Sequence, residues 1–99
     1  MKIFEKAMEI RNLLEGMNTK GQLISSSYSY IEKKLEIHVY SADDFIKIAE
    51  ENRKRYKVKP FDSEYGYDSK YKFTTEHEGV EFLTLANSEE YEYILDKLF

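Results

Sequence analysis

The 99-residue chain has no cysteine, which excludes disulfides, thiolate metal sites and cysteine nucleophiles. It has no tryptophan, a single proline and four glycines. Each glycine stands alone near the end of an expected element, so neither GxGxxG nor a phosphate loop is present. His38 and His77 are the only imidazoles, and no HxxxH or HxxE spacing pairs them with further metal ligands. Long apolar runs are also missing. The opening MKIFEKAMEIRNLLEG is interrupted by Lys6, Glu9 and Arg11, so it reads as an amphipathic helix and not as a secretion signal. No other segment is long and apolar enough for a membrane span, and the expected location is the cytoplasm.

What is present suits one small folded domain. Hydrophobic residues make up 41% and charged residues 34% of the chain. Nine tyrosines and six phenylalanines supply much of the buried area, and tyrosine hydroxyls bias a surface towards binding. The charge is polarised along the sequence. Residues 1–40 sum to +1, residues 41–60 to +2 and residues 61–99 to −7, within a total of −4. Basic density peaks at RKRYKVK, residues 53–59. Such polarity favours oriented contact with a partner or with a second copy, and the net acidity argues against general duplex DNA binding.

The pattern predicts an α+β fold, an antiparallel sheet with helices packed on it, in the order α-β-β-α-β-β-β-α over 1–99. Ile3, Ala7, Ile10, Leu14 and Met17 recur at helical steps, with Phe4 and Met8 widening the stripe. This first helix is expected over about 3–15, with Gly16 marking its end. A hairpin follows. The row Ser25, Ser27 and Ser29 alternates with Ile24, Tyr28 and Tyr30, and Leu35, Ile37 and Val39 alternate with Glu36, His38 and Tyr40. Ser41 and Asp44 form a capping signal for a second helix, on which Glu50–Lys54 and Glu51–Arg55 are spaced as ion pairs. A short strand is expected near 56–62, at an edge because Pro60 cannot donate to a ladder. Two more strands flank a turn at His77-Glu78-Gly79, and Ser88 is the expected cap of the last helix. The strand-to-helix units LEIHVYSADDF and VEFLTLANSEEY echo one another, which capping chemistry alone generates more readily than duplication does.

No catalytic residue, metal site or cofactor is expected, and the chain is expected not to be an enzyme. Asp43, Asp44, Glu89 and Glu90 are accounted for as charges at helix N-termini. The best candidate for binding is the basic-aromatic stretch. Arg53, Arg55, Lys57 and Lys59 offer cations, and Tyr65, Tyr67 and Tyr71 offer aromatic faces, the combination that holds phosphates and bases. Asp62, Glu64 and Asp68 interrupt the patch, and Tyr71 with Phe73 equally suits a core strand.

The units LEIHVYSADDFIKIAEEN and GVEFLTLANSEEYEYILDKLF resemble the small, cysteine-free, Lys/Glu/Tyr-rich proteins of phages and mobile elements of low-GC bacteria. The resemblance implies a non-catalytic anti-defence role in the host cytoplasm. Two expectations follow. One is an inhibitor that binds a host defence protein stoichiometrically, its acidic residues Glu76, Glu78, Glu81, Glu89, Glu90 and Glu92 meeting a basic groove. The other is a sponge that sequesters a cyclic or ADP-ribose-type nucleotide. A chain this small would build a ligand pocket across a subunit interface, so a homodimer is compatible with the second.

Overall fold

The computed structural model describes residues 2–19, 23–62 and 69–99. The elements run α1 (Lys2–Thr19), β1 (Leu23–Ser29), β2 (Lys34–Val39), α2 (Ala42–Glu51), β3 (Lys57–Pro60), β4 (Tyr71–His77), β5 (Val80–Ala86) and α3 (Ser88–Leu98). This is the expected α+β order. The strands form one sheet in the order β1-β2-β5-β4-β3. Three of its four pairings are antiparallel, and one, β2 with β5, is parallel.

Alternation along the strands sorts side chains into two unlike faces. Cross-strand register places Ile37 beside Phe82, Phe82 beside Thr75, and Thr84 beside Phe73. This face is covered by α2 and α3. Ile37, Val39, Phe45, Ala49, Phe73, Ala86 and Ile94 are fully buried in one cluster. Phe73 lies at its centre, with ring centroids 5.8 Å from Phe45, 6.1 Å from Tyr56 and 5.9 Å from Tyr91. Burying a side chain of that size contributes about 2–3 kcal/mol.

Both covering helices begin at firm caps. The Ser41 hydroxyl accepts from the Asp44 N–H at 3.1 Å and donates to the Asp44 carboxylate at 2.9 Å. α3 is capped one residue earlier than expected, by Asn87 and not by Ser88. Asn87 Oδ1 accepts from the Glu90 N–H, and the Glu90 carboxylate accepts from the Asn87 N–H, a complete capping box. Ser88 would have put Tyr91 at the reciprocal position, where no carboxylate is available. The two helices are tied by the Tyr93 hydroxyl, which donates to Asp43 at 2.5 Å.

α1 also runs beyond its expected end. Gly16 lies inside the helix, and a methyl group there would meet nothing within 4 Å. At the end of α2 the expected ion pairs do not form among the described residues. The helix stops at Glu51, and Arg53 and Lys54 turn to φ of 59° and 56°, breaking the four-residue spacing. As Pro60 required, β3 is an edge strand.

Asn87→Ala should destabilise the protein by about 1–2 kcal/mol, whereas Ser88→Ala should stay within about 0.5 kcal/mol of the parent. Urea unfolding followed by circular dichroism reads the difference, and equal losses would contradict the cap assignment.

Candidate functional site

Among the described residues, no helix covers the opposite face of the sheet. Register places Lys57 beside Thr74, and Lys59 beside Lys72. Further across the same face lie Glu76, Glu81, Leu83, Glu36 and His38. Of these, Lys57, Lys59, Lys72, Thr74, Glu76, Glu81 and Glu36 join the α2–β3 connection in lining an open trough of about 1170 Å³.

The trough has two electrically distinct limbs. Its basic limb carries Lys54, Arg55, Lys57, Lys59 and Lys72, and none of these makes an ion pair among the described residues. Lys59 and Lys72 stand directly opposite each other, an arrangement that costs stability when no carboxylate intervenes. Lys59 sits on an edge strand, where a charge also guards against sheet extension. Lys72 is internal and has no such duty.

The acidic limb is organised by Lys34. Its Nζ lies 2.9 Å from Glu81, 3.3 Å from Glu32 and 3.8 Å from Glu76. Glu81 is buried at 7% exposure, so this lysine neutralises a carboxylate that water barely reaches. The hydrogen bond to Glu81 raises the Lys34 ammonium well above the ordinary lysine range, against an opposing effect of burial. His38, on the same face of β2 but outside the trough lining, is half-buried. Burial, and then the charge of Lys72, lower its pKa, so it resists becoming a further cation.

Backbone geometry at the head of the basic limb is strained. Arg53 and Lys54 are consecutive non-glycine residues in the left-handed region, each costing about 1–2 kcal/mol. Polar contacts hold them there. The Asn52 amide donates to Thr75 Oγ1 at 2.8 Å and to the Glu76 carbonyl at 3.0 Å, while the Thr75 hydroxyl donates to the Arg55 carbonyl at 2.6 Å. The Lys54 N–H closes onto the Ala49 carbonyl at 2.7 Å. These bonds carry the chain from the helix layer round to the open face and deliver Lys54 and Arg55 to the trough.

Of the residues singled out from the sequence, the structure brings Arg55, Lys57 and Lys59 together along the trough, with Arg53 in the strained turn beside it. Tyr71 is on the other face. Its ring stacks on Tyr91 at 4.1 Å between centroids and packs against the core. Tyr65 and Tyr67 lie outside the described residues. Lys54 and Lys72 join the basic limb without having been singled out. Strand alternation from Lys57 and Lys59, with antiparallel pairing across Pro60, was the signal for Lys72. The acidic residues do not form one surface: Glu76, Glu78 and Glu81 border the trough, while Glu89, Glu90 and Glu92 belong to α3. Among the described residues no three His, Asp or Glu side chains converge as metal ligands, and no helix is long and apolar enough to cross a membrane.

Comparison with protein-family models, with curated proteins and with solved structures gives no match to this chain.

Two outcomes test the site's electrostatics. Lys34→Met should cost about 2–3 kcal/mol because it leaves Glu81 charged and buried, and adding Glu81→Leu should recover most of that loss. Since the Lys34 pKa is raised on folding, its contribution is complete at neutral pH and disappears only as pH climbs beyond the ordinary lysine range. A double-mutant cycle in urea at neutral pH and at strongly alkaline pH measures both. Lys54→Gly should stabilise the fold by about 1 kcal/mol by relieving the positive φ. A loss of stability would show that Lys54 is held by contacts that outweigh the strain.

Proposed function

We propose that the protein is a non-catalytic binding protein whose uncovered sheet face receives an acidic segment of a partner protein. The observation that carries this reading is Lys59 set opposite Lys72 in a limb of five cations that make no ion pair among the described residues. An incoming carboxylate would relieve that repulsion, so part of the energy stored in the free protein becomes affinity for an anion. The resemblance to phage and mobile-element proteins supplies the setting: inhibition of a host defence protein by stoichiometric contact in the host cytoplasm.

An acidic peptide suits the trough better than a nucleic acid strand does. Glu36, Glu76 and Glu78 border the basic limb and would repel a continuous phosphodiester chain. A protein surface carrying both signs matches two limbs of opposite charge. The nucleotide-sequestering alternative has less support. It needs an aromatic platform beside the cations; Tyr71 stacks on Tyr91 behind the sheet, Tyr56 borders the trough but packs against Phe73, and Tyr65 and Tyr67 lie outside the described residues.

A photo-crosslinking side chain placed at Lys59 should capture one host protein at unit stoichiometry, and the same group at Glu92 on α3 should capture none. Lys57→Glu with Lys72→Glu should abolish the product. Equal capture from both positions would remove the open face from the function. A large thermal shift with cyclic or ADP-ribose-type nucleotides, lost in the same double variant, would favour the sponge.

A further inference from the structure

Most of α1 lies exposed to solvent. Only Leu14 and Met17 pack against the core cluster, and residues 2–13 are exposed along their whole length. Yet five of the twelve exposed large hydrophobic side chains among the described residues lie on this overhang. Ile3 is 79% exposed, Phe4 64%, Met8 56%, Ile10 50% and Leu13 57%. A stable monomer has no reason to spend so many large apolar side chains on water.

Their spacing says what kind of surface would cover them. Ile3, Ala7, Ile10, Leu14 and Met17 follow alternating steps of four and three, the spacing of one seam of a helix pair. We propose that α1 pairs antiparallel with α1 of a second copy, making the protein a homodimer with its two folded bodies at opposite ends of the helix pair.

Several observations choose this occupant and this orientation. In the antiparallel register Ile3 of one copy faces Leu14 of the other, and Ala7 faces Ile10, so a large residue meets a small one at the centre and the helices approach closely. At the flanks Phe4 comes beside Arg11, a cation over an aromatic ring, and the stem of Lys6 covers Leu13. A parallel pair would instead bring both folded bodies to the same end and set like charge on like charge at Lys6 and Arg11. The five exposed side chains offer on the order of 500 Å² per copy at about 150–250 Å² for a large ring and less for the others. Two copies would therefore bury about 1,000 Å², the size at which an interface becomes specific. A lipid surface or a polyanion fits poorly, because Lys2, Lys6 and Arg11 are balanced by Glu5, Glu9 and Glu15. The dimer would leave the trough of each copy open, since α1 contacts the body at β1 and the basic limb lies on β3 and β4 at the far edge.

Sedimentation equilibrium of the full chain should give twice the 11.8 kDa mass. Ile10→Glu should return the mass to one chain with an unchanged far-ultraviolet circular dichroism spectrum, because Ile10 makes no contact with the core. Ile31→Glu, at an exposed site away from α1, should remain dimeric. Orientation is tested by cysteines introduced into the cysteine-free chain. Ile3→Cys alone should not crosslink, its two copies being about 16 Å apart along the pair, whereas a mixture of Ile3→Cys and Leu14→Cys protein should. A wild-type monomer at the highest soluble concentration, or a dimer that survives Ile10→Glu, would overturn the proposal. So would efficient crosslinking of Ile3→Cys alone, or co-sedimentation of the wild-type monomer with phosphatidylserine vesicles that Ile10→Glu abolishes.

Discussion

The packing of Phe73 against both α2 and α3 is the contact on which the rest of the molecule depends. A sheet of this size has enough apolar surface for one well-covered face, and the two helices that supply the cover both dock around this ring. Once they do, the second face must remain in water, and its composition follows. Its positions carry Lys, Glu, Ser, Thr and His, with the buried Leu83 and the half-buried Leu85 as apolar residues among them. The surface proposed for binding is thus the complement of the core. Each strand contributes alternate residues to the two faces.

An uncovered face still has to manage its own charges, and the two limbs do so in different ways. Lys34 satisfies three carboxylates and holds the acidic limb as a closed network. Nothing comparable serves the basic limb. Lys59 and Lys72 repel each other, and the chain enters the limb through two strained residues whose geometry Asn52 and Thr75 enforce. Strain and repulsion side by side, both removable by simple substitutions, are the pattern of a surface kept ready for a ligand at some expense of stability. The network around Lys34 neutralises a buried carboxylate, whereas the described residues supply no carboxylate partner for the limb around Lys72.

Local rules made much of the fold legible. The alternation at Leu35, Ile37 and Val39, the cap at Ser41, and Pro60 at an edge each required only near neighbours in the chain. Where neighbours competed, the reading slipped by a residue: Ser88 and Asn87 are both good caps, and the reciprocal Glu90 decides for Asn87. Gly16 looked like a helix end because its backbone freedom is visible in sequence, while the anchoring of Leu14 and Met17 that carries the helix past it is not. The parallel pairing of β2 with β5 was equally hidden, since alternation tells which face a residue takes and not which strand lies alongside. The same limit explains the candidate site. The run from Arg53 to Lys59 was visible as a basic segment, but Lys72 joins it and Tyr71 leaves it through a register that only the assembled sheet defines.

That register also bears on the echo between the two strand-to-helix units. Leu35 pairs with Val80 and Ile37 with Phe82, so the similar segments lie side by side, parallel, with both helices on one face. Viewed from the helices with β2 and β5 pointing up, however, β1 lies on one side of its partner and β4 on the other. The two β-β-α units therefore have opposite hands. A duplicated unit that kept its fold would keep its hand, because strand twist and helix packing are set by the chirality of the residues and cannot be mirrored. What the units share is the chemistry of leaving a strand and starting a helix: a polar cap, two acids and an aromatic that turns back to the core. Two independent solutions to that local problem, placed on either side of a parallel pair, are enough to build this sheet.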